Sequence, residues 1–383
     1  MKIAILGAGN AGCITALHYS YYGQSKFEID IYHNSTENPI ERVGQGTIIG
    51  PSGIISTALG FDWDNNPIDA TIKTGFMYEG WGNKTDKIFH GFTLDTVAMH
   101  YVPQKLSNAV LESGLFNVIE KKIKDPEKEI DADIIFDCRG RNNRDKDNYK
   151  SIINPLNSVL LYDKMEADPT LTYTKCVATP NGWTFLIPNI DSVSYGYLYN
   201  NTITSKEDAT EDFLERFQLP EIDGQFDFDN YIAKNMFVGE RTILQGNRLG
   251  FVEPMEATSL SFYHYVCRVV WDGIYKKHDK VVMNNKIRDR MKEIETFILW
   301  HYQKGSKYDT PFWRYAKSLP FKPDDEFKNN LKESRKMSLR ESYFADRELG
   351  ISYGDWGLRS FKVWDQNRRF RNKGLRNGFG NTK

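Results

Sequence analysis

The chain has 383 residues, of which 40% are hydrophobic and 26% are charged, and its formal net charge is −1. Such a length predicts two interlocked lobes rather than a single small core. The balanced charge gives no electrostatic preference for nucleic acid or for a membrane surface, and no run approaches the roughly 18 apolar residues of a membrane span. A small molecule is therefore the expected partner, with neither nucleic acid nor membrane involved.

Cysteine and histidine usage bears on the compartment and on metal binding. The four cysteines, Cys13, Cys138, Cys176 and Cys267, are widely spaced and form no paired motif, which favours a reducing, cytoplasmic compartment. The seven histidines are scattered without the spacing of zinc ligands. We therefore expect no metal site.

The chain opens with KIAILGAGNAG, an apolar run of strand length that ends in a glycine-rich turn. The helix-compatible segment CITALHYSYYG follows, and FEIDIYH then alternates like a second strand. Gly7, Gly9 and Gly12 complete a Gly-x-Gly-x-x-Gly pattern around Asn10 and Ala11. Directly after a strand and before a helix, this pattern is typical of dinucleotide binding.

Each glycine of the pattern has a physical purpose at such a site. The first permits the tight turn, the second lets the backbone approach a pyrophosphate, and the third allows close packing of helix on strand. The helix N-terminus then points its N–H groups at the anion. A glycine-rich turn that binds no ligand is the alternative interpretation.

The end of the second strand departs from the usual pattern. An acidic residue normally stands there and binds the ribose, whereas this chain has His33 followed by Asn34. A neutral partner forms a weaker bond than a carboxylate does, so we expect a loosely held, exchangeable cofactor. The motif by itself leaves both NAD and FAD open.

The middle of the chain alternates between loop, strand and helix patterns. Residues 43–60 are rich in Gly, Ser and Pro and predict a loop that wraps a ligand before a short helix. A later strand, DADIIFDCRGR, carries Asp137 and Gly140 near its end. Residues 160–235 are β-rich and aromatic, whereas residues 240–275 give a strand, a turn and an apolar helix.

Beyond this point the chain is largely helical, and its C-terminus is basic. The last twenty residues contain one acid, Asp365, and six basic residues, namely Arg368, Arg369, Arg371, Lys373, Arg376 and Lys383. We interpret this segment as a solvated, loosely held terminus rather than as an RNA contact.

Several motifs together point to one family. GFVEPMEATSL at 250–260 resembles the Phe-x-Glu-Pro-Leu-Glu-Ser/Thr block of flavin-dependent tryptophan halogenases. GWTFLIP at 182–188 is similar to that family's Trp-x-Trp-x-Ile-Pro motif, with Phe for the second Trp. VGQGT at 43–47 resembles its Val-Gly-Glu-Ala-Thr flavin strap, DATIKTGFMYEGWG at 69–82 its lysine segment, and DTPFW at 309–313 a late helical block.

The resemblance, which extends to about residue 315, implies a fold. It implies an α/β protein with an FAD-binding Rossmann-like lobe of the flavin monooxygenase and halogenase type, a β-rich substrate-side insert and a helical C-terminal region. We expect residues 1–158 and 236–275 to form the FAD lobe, residues 159–235 the insert, and residues 276–383 the C-terminal region.

The resemblance also implies a reaction. Reduced FAD (FADH2), oxygen and a halide (chloride, bromide or iodide) would give hypohalous acid, which would cross a tunnel to an aromatic substrate. A separate flavin reductase would supply the reduced flavin, and homo-oligomerisation stays open. Because the C-terminal region offers no convincing clamp for an amino acid, we expect an indole or phenol rather than free tryptophan.

Four residues take the central roles by resemblance. Lys73 aligns with the family's catalytic lysine, which meets the hypohalous acid either as an ammonium donor or by forming a haloamine. Glu256 aligns with the carboxylate that stabilises the cationic ring or removes its proton; a carboxylate at a helix start is the alternative. Thr258 and Ser259 correspond to the backbone site that cradles the halide.

The other expected site residues form a wall and a cofactor cradle. Gln45 stands where the strap usually has glutamate, so weaker repulsion is expected to make the halide site more permissive. The expected tunnel and pocket residues, for which core packing is the alternative, are Trp183, Phe185, Ile187, Pro188 and Trp81, with Trp313 and Trp356 as further candidates. The expected cofactor contacts are Gly7, Gly9, Asn10, Ala11, Gly12, His33, Gly44, Gln45, Gly46, Thr47, Asp137, Gly140 and Gly250.

Three other functions compete with this interpretation. An FAD-dependent aromatic monooxygenase would hydroxylate its substrate directly, but Lys73 and the wall at residues 183–188 argue against it. A flavin-binding protein without activity is favoured by His33 and Gln45 but opposed by Lys73 together with Glu256. A nicotinamide dehydrogenase is the weakest, because no proton-transfer constellation typical of that chemistry is apparent.

Overall fold

The computed structural model describes residues 1–34, 43–82, 86–92, 96–141, 144–349 and 352–367. The basic segment predicted at 368–383 lies outside these residues. In chain order the strands are β1 (Lys2–Leu6), β2 (Glu28–His33), β3 (Gln45–Gly46), β4 (Thr71–Lys73), β5 (Gly75–Glu79), β6 (Lys87–Gly91), β7 (Ala98–Tyr101), β8 (Asn117–Glu120), β9 (Ile134–Asp137), β10 (Tyr149–Ser151), β11 (Ser158–Lys164), β12 (Thr174–Thr179), β13 (Gly182–Pro188), β14 (Val193–Tyr199), β15 (Gly224–Asp227), β16 (Tyr231–Ala233), β17 (Thr242–Leu244), β18 (Gly250–Phe251), β19 (Ser352–Tyr353) and β20 (Trp356–Gly357). The helices are α1 (Asn10–Gly23), α2 (Ile49–Leu59), α3 (Pro103–Glu112), α4 (Pro126–Glu129), α5 (Lys206–Phe217), α6 (Thr258–Lys276), α7 (Lys280–Lys304), α8 (Pro311–Ser318), α9 (Asp325–Lys336), α10 (Leu339–Leu349) and α11 (Leu358–Asn367).

Strand β1 lies at the centre of a parallel sheet with the order β17-β9-β1-β2-β8. Its apolar sequence is buried from Ile3 onwards, as expected for a strand covered on both faces. Helix α1 packs on β1, β2 and α6, which confirms the predicted strand-turn-helix-strand unit. In this register Leu6 pairs with both Tyr32 and Asp137, so three carboxyl ends meet at one edge of the sheet.

A second sheet has the order β15-β11-β14-β13-β12-β5-β6. Its neighbours are antiparallel except for β12 and β5, which are parallel. Residues 75–91 supply β5 and β6, so this sheet extends beyond the range 159–235 expected for the β-rich insert. The extension has a simple cause, because β5 completes the hydrogen bonding of β12. The division of the chain into lobes remains a prediction.

A small antiparallel sheet with the order β3-β7-β4 joins the two predicted motifs of the N-terminal half. Strand β3 carries Gln45 and Gly46 of the strap, and β4 ends at Lys73. Because both strands pair with β7, the backbone places the strap beside the lysine segment.

The C-terminal region is largely helical, as predicted. Helix α7 begins after Asp279, whose side chain accepts a hydrogen bond from the Val282 N–H, and α8 begins after Thr310, with Pro311 as its first residue. Helix α11 packs against α9, α10 and strand β6 of the second sheet. Among the described residues, no helix combines the length and the apolar character required to cross a membrane.

Candidate active site

The dinucleotide turn, residues 7–12, has the geometry that its sequence predicts. Gly7 has a φ of +102°, a conformation that side chains rarely adopt. A Cβ added to Gly12 would lie 1.9 Å from the Gly7 carbonyl oxygen, so only glycine permits this contact between helix and strand. A Cβ added to Gly9 would meet no heavy atom within 4 Å, which leaves open space in front of the first turn of α1. The unpaired N–H groups of that turn, which begins at Asn10, fit a pyrophosphate.

The strap is joined to this turn by side-chain hydrogen bonds. Asn10 donates from Nδ2 to Gln45 Oε1 at 3.2 Å and accepts from the Tyr101 hydroxyl at 2.9 Å. The Gly44 N–H donates to Ser194 Oγ at 2.9 Å. The buried Thr47 hydroxyl bonds the Met99 carbonyl oxygen at 3.0 Å. Two predicted cofactor segments thus meet in space, although a neutral amide takes the place of the usual strap carboxylate.

The predicted cofactor residues at the ends of β2 and β9 lie at the same sheet edge. His33 ends β2 and is half-buried, and Gly140 has a φ of +77° with open space beside it. Asp137 ends β9, and Arg139 binds its carboxylate through two bonds of 2.8 Å. Burial raises the pKa of Asp137, but this arginine and Arg248 bring it below its ordinary value. The pairing of Asp137 with two arginines positions these cations, which sequence reasoning did not anticipate.

Lys73 is fully buried at the end of β4. Its Nζ lies 3.8 Å from the centroid of the Phe76 ring and 5.8 Å from that of Phe92, and it has no hydrogen-bond partner among the described residues. Burial lowers the pKa of this amine to about 7, although Glu256 acts in the opposite direction. A Cβ added to Gly46 would lie 3.0 Å from Nζ, so the strap backbone directly borders the lysine amine.

Glu256 lies in the turn between β18 and α6, where the backbone is strained. Glu256 and Ala257 have φ values of 62° and 51°, which non-glycine residues rarely adopt. Such conformations cost about 1–3 kcal/mol each and persist only where the surroundings enforce them. The strain turns the carboxylate away from the helix start and into the protein interior, where it is 3% exposed. Its bonding partners are side chains, so the helix-start interpretation is wrong.

The Glu256 carboxylate is held by side chains from several elements. Oε1 accepts from the Tyr78 hydroxyl at 2.5 Å and faces His301 Nε2 at 3.0 Å and His90 Nδ1 at 3.3 Å. Oε2 has one longer contact, with Trp356 Nε1 at 3.4 Å. Burial by itself raises the pKa of this carboxyl, but the electrostatic effects and hydrogen bonds of the two histidines hold it well below its usual range.

One strand joins the lysine to the glutamate. Phe76 and Tyr78 lie on the same face of β5, with ring centroids 6.2 Å apart. The Lys73 amine lies over the Phe76 ring, and the Tyr78 hydroxyl bonds Glu256. We call the region bounded by these four residues together with His90 and His301 the Lys73–Glu256 enclosure. It brings both predicted catalytic residues to one buried, aromatic-lined site.

The two predicted halide residues open helix α6. The Thr258 hydroxyl is buried and has no hydrogen-bond partner among the described residues. The N–H groups of the first helical turn lack intrahelical partners, and the helix dipole favours an anion there. Gly250, predicted as a cofactor contact, borders the same small pocket as Thr258 and Ser259. The N–H groups and the dipole of this helix start fit a halide.

The expected wall on β13 is buried along its full length. Trp183 donates from Nε1 to Glu253 Oε2 at 2.9 Å, and its ring centroid lies 6.2 Å from that of Phe185. The Pro188 carbonyl oxygen accepts a bond from the Thr71 hydroxyl two residues before Lys73, at 2.8 Å. Ile187, the remaining residue of the expected wall, is 7% exposed and belongs to the main hydrophobic core. Trp81 is completely buried and packs edge to face on Trp183 and Trp313.

Comparison with known proteins decides the family. A family model described as tryptophan halogenase matches residues 2–114 and 105–348. The chain belongs to the tryptophan halogenase family. The motifs at residues 182–188 and 250–260 lie within the second matched range.

Two curated tryptophan halogenases are similar to this chain at low sequence identity. The chain is 26% identical to the tryptophan 6-halogenase ThaL of Streptomyces albogriseolus over 198 residues, which are 50% of this chain and 36% of ThaL. It is 28% identical to the tryptophan 7-halogenase RebH of Lentzea aerocolonigenes over 161 residues, which are 40% of this chain and 30% of RebH. The chain thus matches about a third of the length of these curated relatives.

Solved structures of tryptophan halogenases share the fold over nearly the whole chain. The tryptophan 5-halogenase MibH superposes with a TM-score of 0.79 at 16% identity and covers 96% of this chain and 85% of its own. The tryptophan halogenase of Shewanella frigidimarina superposes with a TM-score of 0.78 at 18% identity, with 97% and 89% covered. These likenesses confirm the predicted α/β fold class.

Besides the two arginines at Asp137, sequence reasoning missed four residues in and beside the Lys73–Glu256 enclosure. Tyr78 stood in the quoted lysine segment, and His301 stood in the helical run FILWHY. His90 carried no signal of its own. Glu253 is the first glutamate of the recognised EPMEATS block, and burial raises the pKa of its carboxyl to about 7 while Trp183, Asn154 and Tyr302 hydrogen-bond it. In each case the partner lies far away in sequence, which a local pattern does not encode.

Proposed function

We propose that this chain is a flavin-dependent halogenase that uses reduced FAD, oxygen and a halide to halogenate an aromatic substrate of the indole or phenol class. The observation that carries the proposal is the Lys73–Glu256 enclosure. A buried amine and a buried carboxylate share one aromatic-lined site, and a family model for tryptophan halogenases matches most of the chain.

The cofactor proposal rests on the fit of the dinucleotide turn and the strap. When bound, reduced FAD would supply the electrons that, together with oxygen, convert a halide into hypohalous acid. The first turn of α1 would bind the pyrophosphate through its N–H groups. His33 would hydrogen-bond the ribose in place of the usual carboxylate, which makes the bond weaker. Gln45 and Gly46 would contact the flavin side of the strap.

The halide would bind at the start of helix α6. The N–H groups of Thr258 and Ser259 would donate to the anion, with the unpartnered Thr258 hydroxyl as a further donor. Chloride, bromide and iodide all meet these requirements, because the site offers hydrogen bonds and a helix dipole rather than a charged side chain.

Lys73 and Glu256 would divide the proton transfers between them. The Nζ ammonium of Lys73 donates a proton to the oxygen of hypohalous acid as the oxygen–halogen bond breaks and the carbon–halogen bond forms on the ring. Water leaves, and Glu256 removes the proton from the ring carbon. Transfer of this proton back to Lys73 restores both groups, so the substrate exchanges one hydrogen for one halogen.

The wall on β13 would keep the aromatic substrate from the flavin. Trp183 and Phe185 are buried between bulky neighbours. Such packing would let hypohalous acid through more readily than an aromatic substrate. A separate reductase would deliver the reduced flavin. All four cysteines are free thiols, consistent with the reducing cytoplasm that we propose as its location.

The test supplies photoreduced FAD, air and each halide to the full chain with a panel of indoles and phenols. Mass spectrometry should detect a product in which halogen replaces hydrogen. Lys73→Met should abolish this product while flavin reoxidation continues at the wild-type rate. A product that gains only an oxygen atom would contradict the proposal in favour of a monooxygenase, and a wild-type chain that does not speed flavin oxidation would indicate a binding protein.

A further inference from the structure

Glu253 has a buried carboxyl group that the proposed reaction does not use. It lies in the turn between β18 and α6, three residues before Glu256, and it is completely buried. Taking a carboxyl group out of water costs free energy unless its oxygens are hydrogen-bonded, and an apolar side chain at the same place would not have this cost. The neighbours of Glu253 should therefore explain why a glutamate stands there.

Side chains from three separate segments of the chain meet on the two oxygens of Glu253. Asn154 donates from Nδ2 to Oε1 at 2.9 Å, and Trp183 donates from Nε1 to Oε2 at 2.9 Å. The Tyr302 hydroxyl lies 2.8 Å from both oxygens and donates between them. The Glu253 N–H donates to Asn230 Oδ1 at 3.0 Å, which fixes the backbone that carries the carboxyl group. Both oxygens are thus hydrogen-bonded, and the surroundings set the position of this side chain.

The hydrogen bond to Glu253 orients the indole of Trp183. This indole is 1% exposed, and its ring centroid lies 6.3 Å from that of Trp81 and 6.2 Å from that of Phe185. Such apolar contacts restrict the space around the ring but are non-directional. The Nε1–H is the single polar group of an indole and can only donate. Rotation of the ring away from Glu253 would leave this buried N–H without its acceptor, which is unfavourable.

We infer that Glu253 is a positioning residue that holds the Trp183 indole in the wall on β13 and thereby keeps hypohalous acid on its way to Lys73. This inference rests on the proposed halogenase function, which supplies the acid and the purpose of the wall. An indole without this acceptor would rotate between several orientations. Some of them would block the passage and others would widen it for water, so in either case less acid reaches Lys73 and more is lost to solvent.

The hydrogen bond between Glu253 and Trp183 does not depend on the charge of the carboxyl group. A carboxylate accepts with either oxygen, and a carboxylic acid still accepts with its carbonyl oxygen. Glutamine has the same carbonyl oxygen and nearly the same shape, so Glu253→Gln keeps the bond, whereas Glu253→Ala removes the acceptor. A comparison of these two variants therefore separates the bond to the wall from the loss of an ionisable group.

The first test measures the Trp183 N–H directly and needs no turnover. Hydrogen exchange of the indole N–H groups, followed by NMR of protein with labelled tryptophan, should be slow at Trp183, whose signal is identified by its loss in Trp183→Phe. Exchange should be at least about tenfold faster in Glu253→Ala but close to wild type in Glu253→Gln. Asn154→Ala is the matched control, because it removes a hydrogen bond from the same carboxyl group and leaves the bond to Trp183 in place. In wild type, exchange at Trp183 as fast as at Trp63, which is 44% exposed, would overturn the inference even if Glu253→Ala failed to fold.

The second test measures where the hypohalous acid goes. The full chain is supplied with photoreduced FAD, air, bromide and the best substrate from the panel of indoles and phenols, together with a soluble β-diketone that free hypobromous acid brominates. The escaped fraction is the brominated diketone divided by all brominated products, so flavin that oxidises without forming the acid does not affect it. This fraction should rise at least about threefold in Glu253→Ala and stay within about 1.5-fold of wild type in Glu253→Gln, while KM for the aromatic substrate changes by less than about twofold in both. An unchanged escaped fraction in Glu253→Ala would overturn the inference.

A double-mutant cycle separates positioning from a general structural role. Trp183→Phe keeps a ring in the wall but has no N–H that Glu253 could accept. Glu253→Ala should therefore change the escaped fraction by less than about 1.5-fold in this background, because the two residues act through one bond. Effects that multiply instead would assign Glu253 a structural role and overturn the inference. A wild-type chain that brominates neither the aromatic substrate nor the diketone would contradict the proposed function, and the exchange measurement would then decide whether Glu253 positions Trp183.

Discussion

The dinucleotide turn and the Lys73–Glu256 enclosure are built in opposite ways. The turn uses the backbone of one continuous segment, and its key positions are glycines. The enclosure uses side chains from β4, β5, β6, α7 and the turn before α6. A backbone site depends on space and on conformation, whereas a side-chain site depends on charge and on burial. Substitutions should therefore act on the two regions through different physical quantities.

The largest expected effect is a steric change in the turn. Gly12→Ala places a Cβ 1.9 Å from the Gly7 carbonyl oxygen, and a backbone atom cannot move aside as a side chain can. We expect the free energy of unfolding to fall by about 3 kcal/mol or more, and the affinity for FAD to fall by about 100-fold. Urea denaturation and titration of flavin fluorescence measure the two quantities.

Gly9→Ala is the matched control within the same turn. Its new Cβ meets no protein atom within 4 Å, so the free energy of unfolding should stay within about 0.5 kcal/mol of wild type. FAD binding should still weaken, because the methyl group enters the space in front of the helix N-terminus. Wild-type FAD affinity in this variant would show that no pyrophosphate binds at the turn.

The next effect concerns Glu253, where burial raises the pKa of the carboxyl to about 7. The folded state prefers the protonated acid, so this stability is fully present below about pH 4.5 and is lost as the pH rises through about 7. The loss amounts to about 3 kcal/mol. Unfolding of wild type and Glu253→Gln should be compared across this range, because other titrating groups cancel in the difference.

The free energies of unfolding of wild type and Glu253→Gln should differ in their slope against pH rather than by a constant amount. Glutamine keeps an oxygen that accepts from Trp183 Nε1, so the variant preserves the contact to the wall while removing the titration. A difference in free energy of unfolding that does not change between about pH 4.5 and pH 7 would contradict the raised pKa.

These contrasts explain what sequence alone predicted. The strand-turn-helix-strand unit, its glycines and the buried strand β13 follow from local patterns, because their causes lie within one segment. Lys73 and Glu256 were found only through resemblance to a family. His301 and Glu253 were missed because the role of the first depends on its contact with Glu256 and the pKa of the second on burial beneath Trp183. The sequence also did not indicate that β5 joins the second sheet, since pairing of β5 with β12 crosses a long stretch of chain.

A smaller effect follows from Lys73. Burial lowers the pKa of its amine to about 7. If its ammonium donates the proton to hypohalous acid, product formation should fall about tenfold for each pH unit above about 7, as the amine loses its charge. Flavin reoxidation measured over the same pH range is the control and should not follow this limb. A rate that rises through pH 7 would contradict the donor role. It would indicate instead that the neutral amine of Lys73 reacts by forming a nitrogen–halogen bond.

The smallest expected effect tests whether the strap belongs to the turn or to the halide site. Gln45 accepts a hydrogen bond from Asn10 of the dinucleotide turn at 3.2 Å, and a glutamate at this position would accept the same bond. Gln45→Glu adds a negative charge beside the proposed pyrophosphate site, so FAD should bind about threefold to tenfold more weakly, with repulsion reduced at high salt. Gln45→Leu is the control that removes the bond without adding charge, and its affinity for FAD should change with salt no more than that of wild type. The relative turnover of chloride, bromide and iodide should stay unchanged in Gln45→Glu, because the halide residues Thr258 and Ser259 start a different helix. A changed halide order would instead mean that the strap charge reaches the start of α6, and the sequence-based expectation of a halide role for Gln45 would hold.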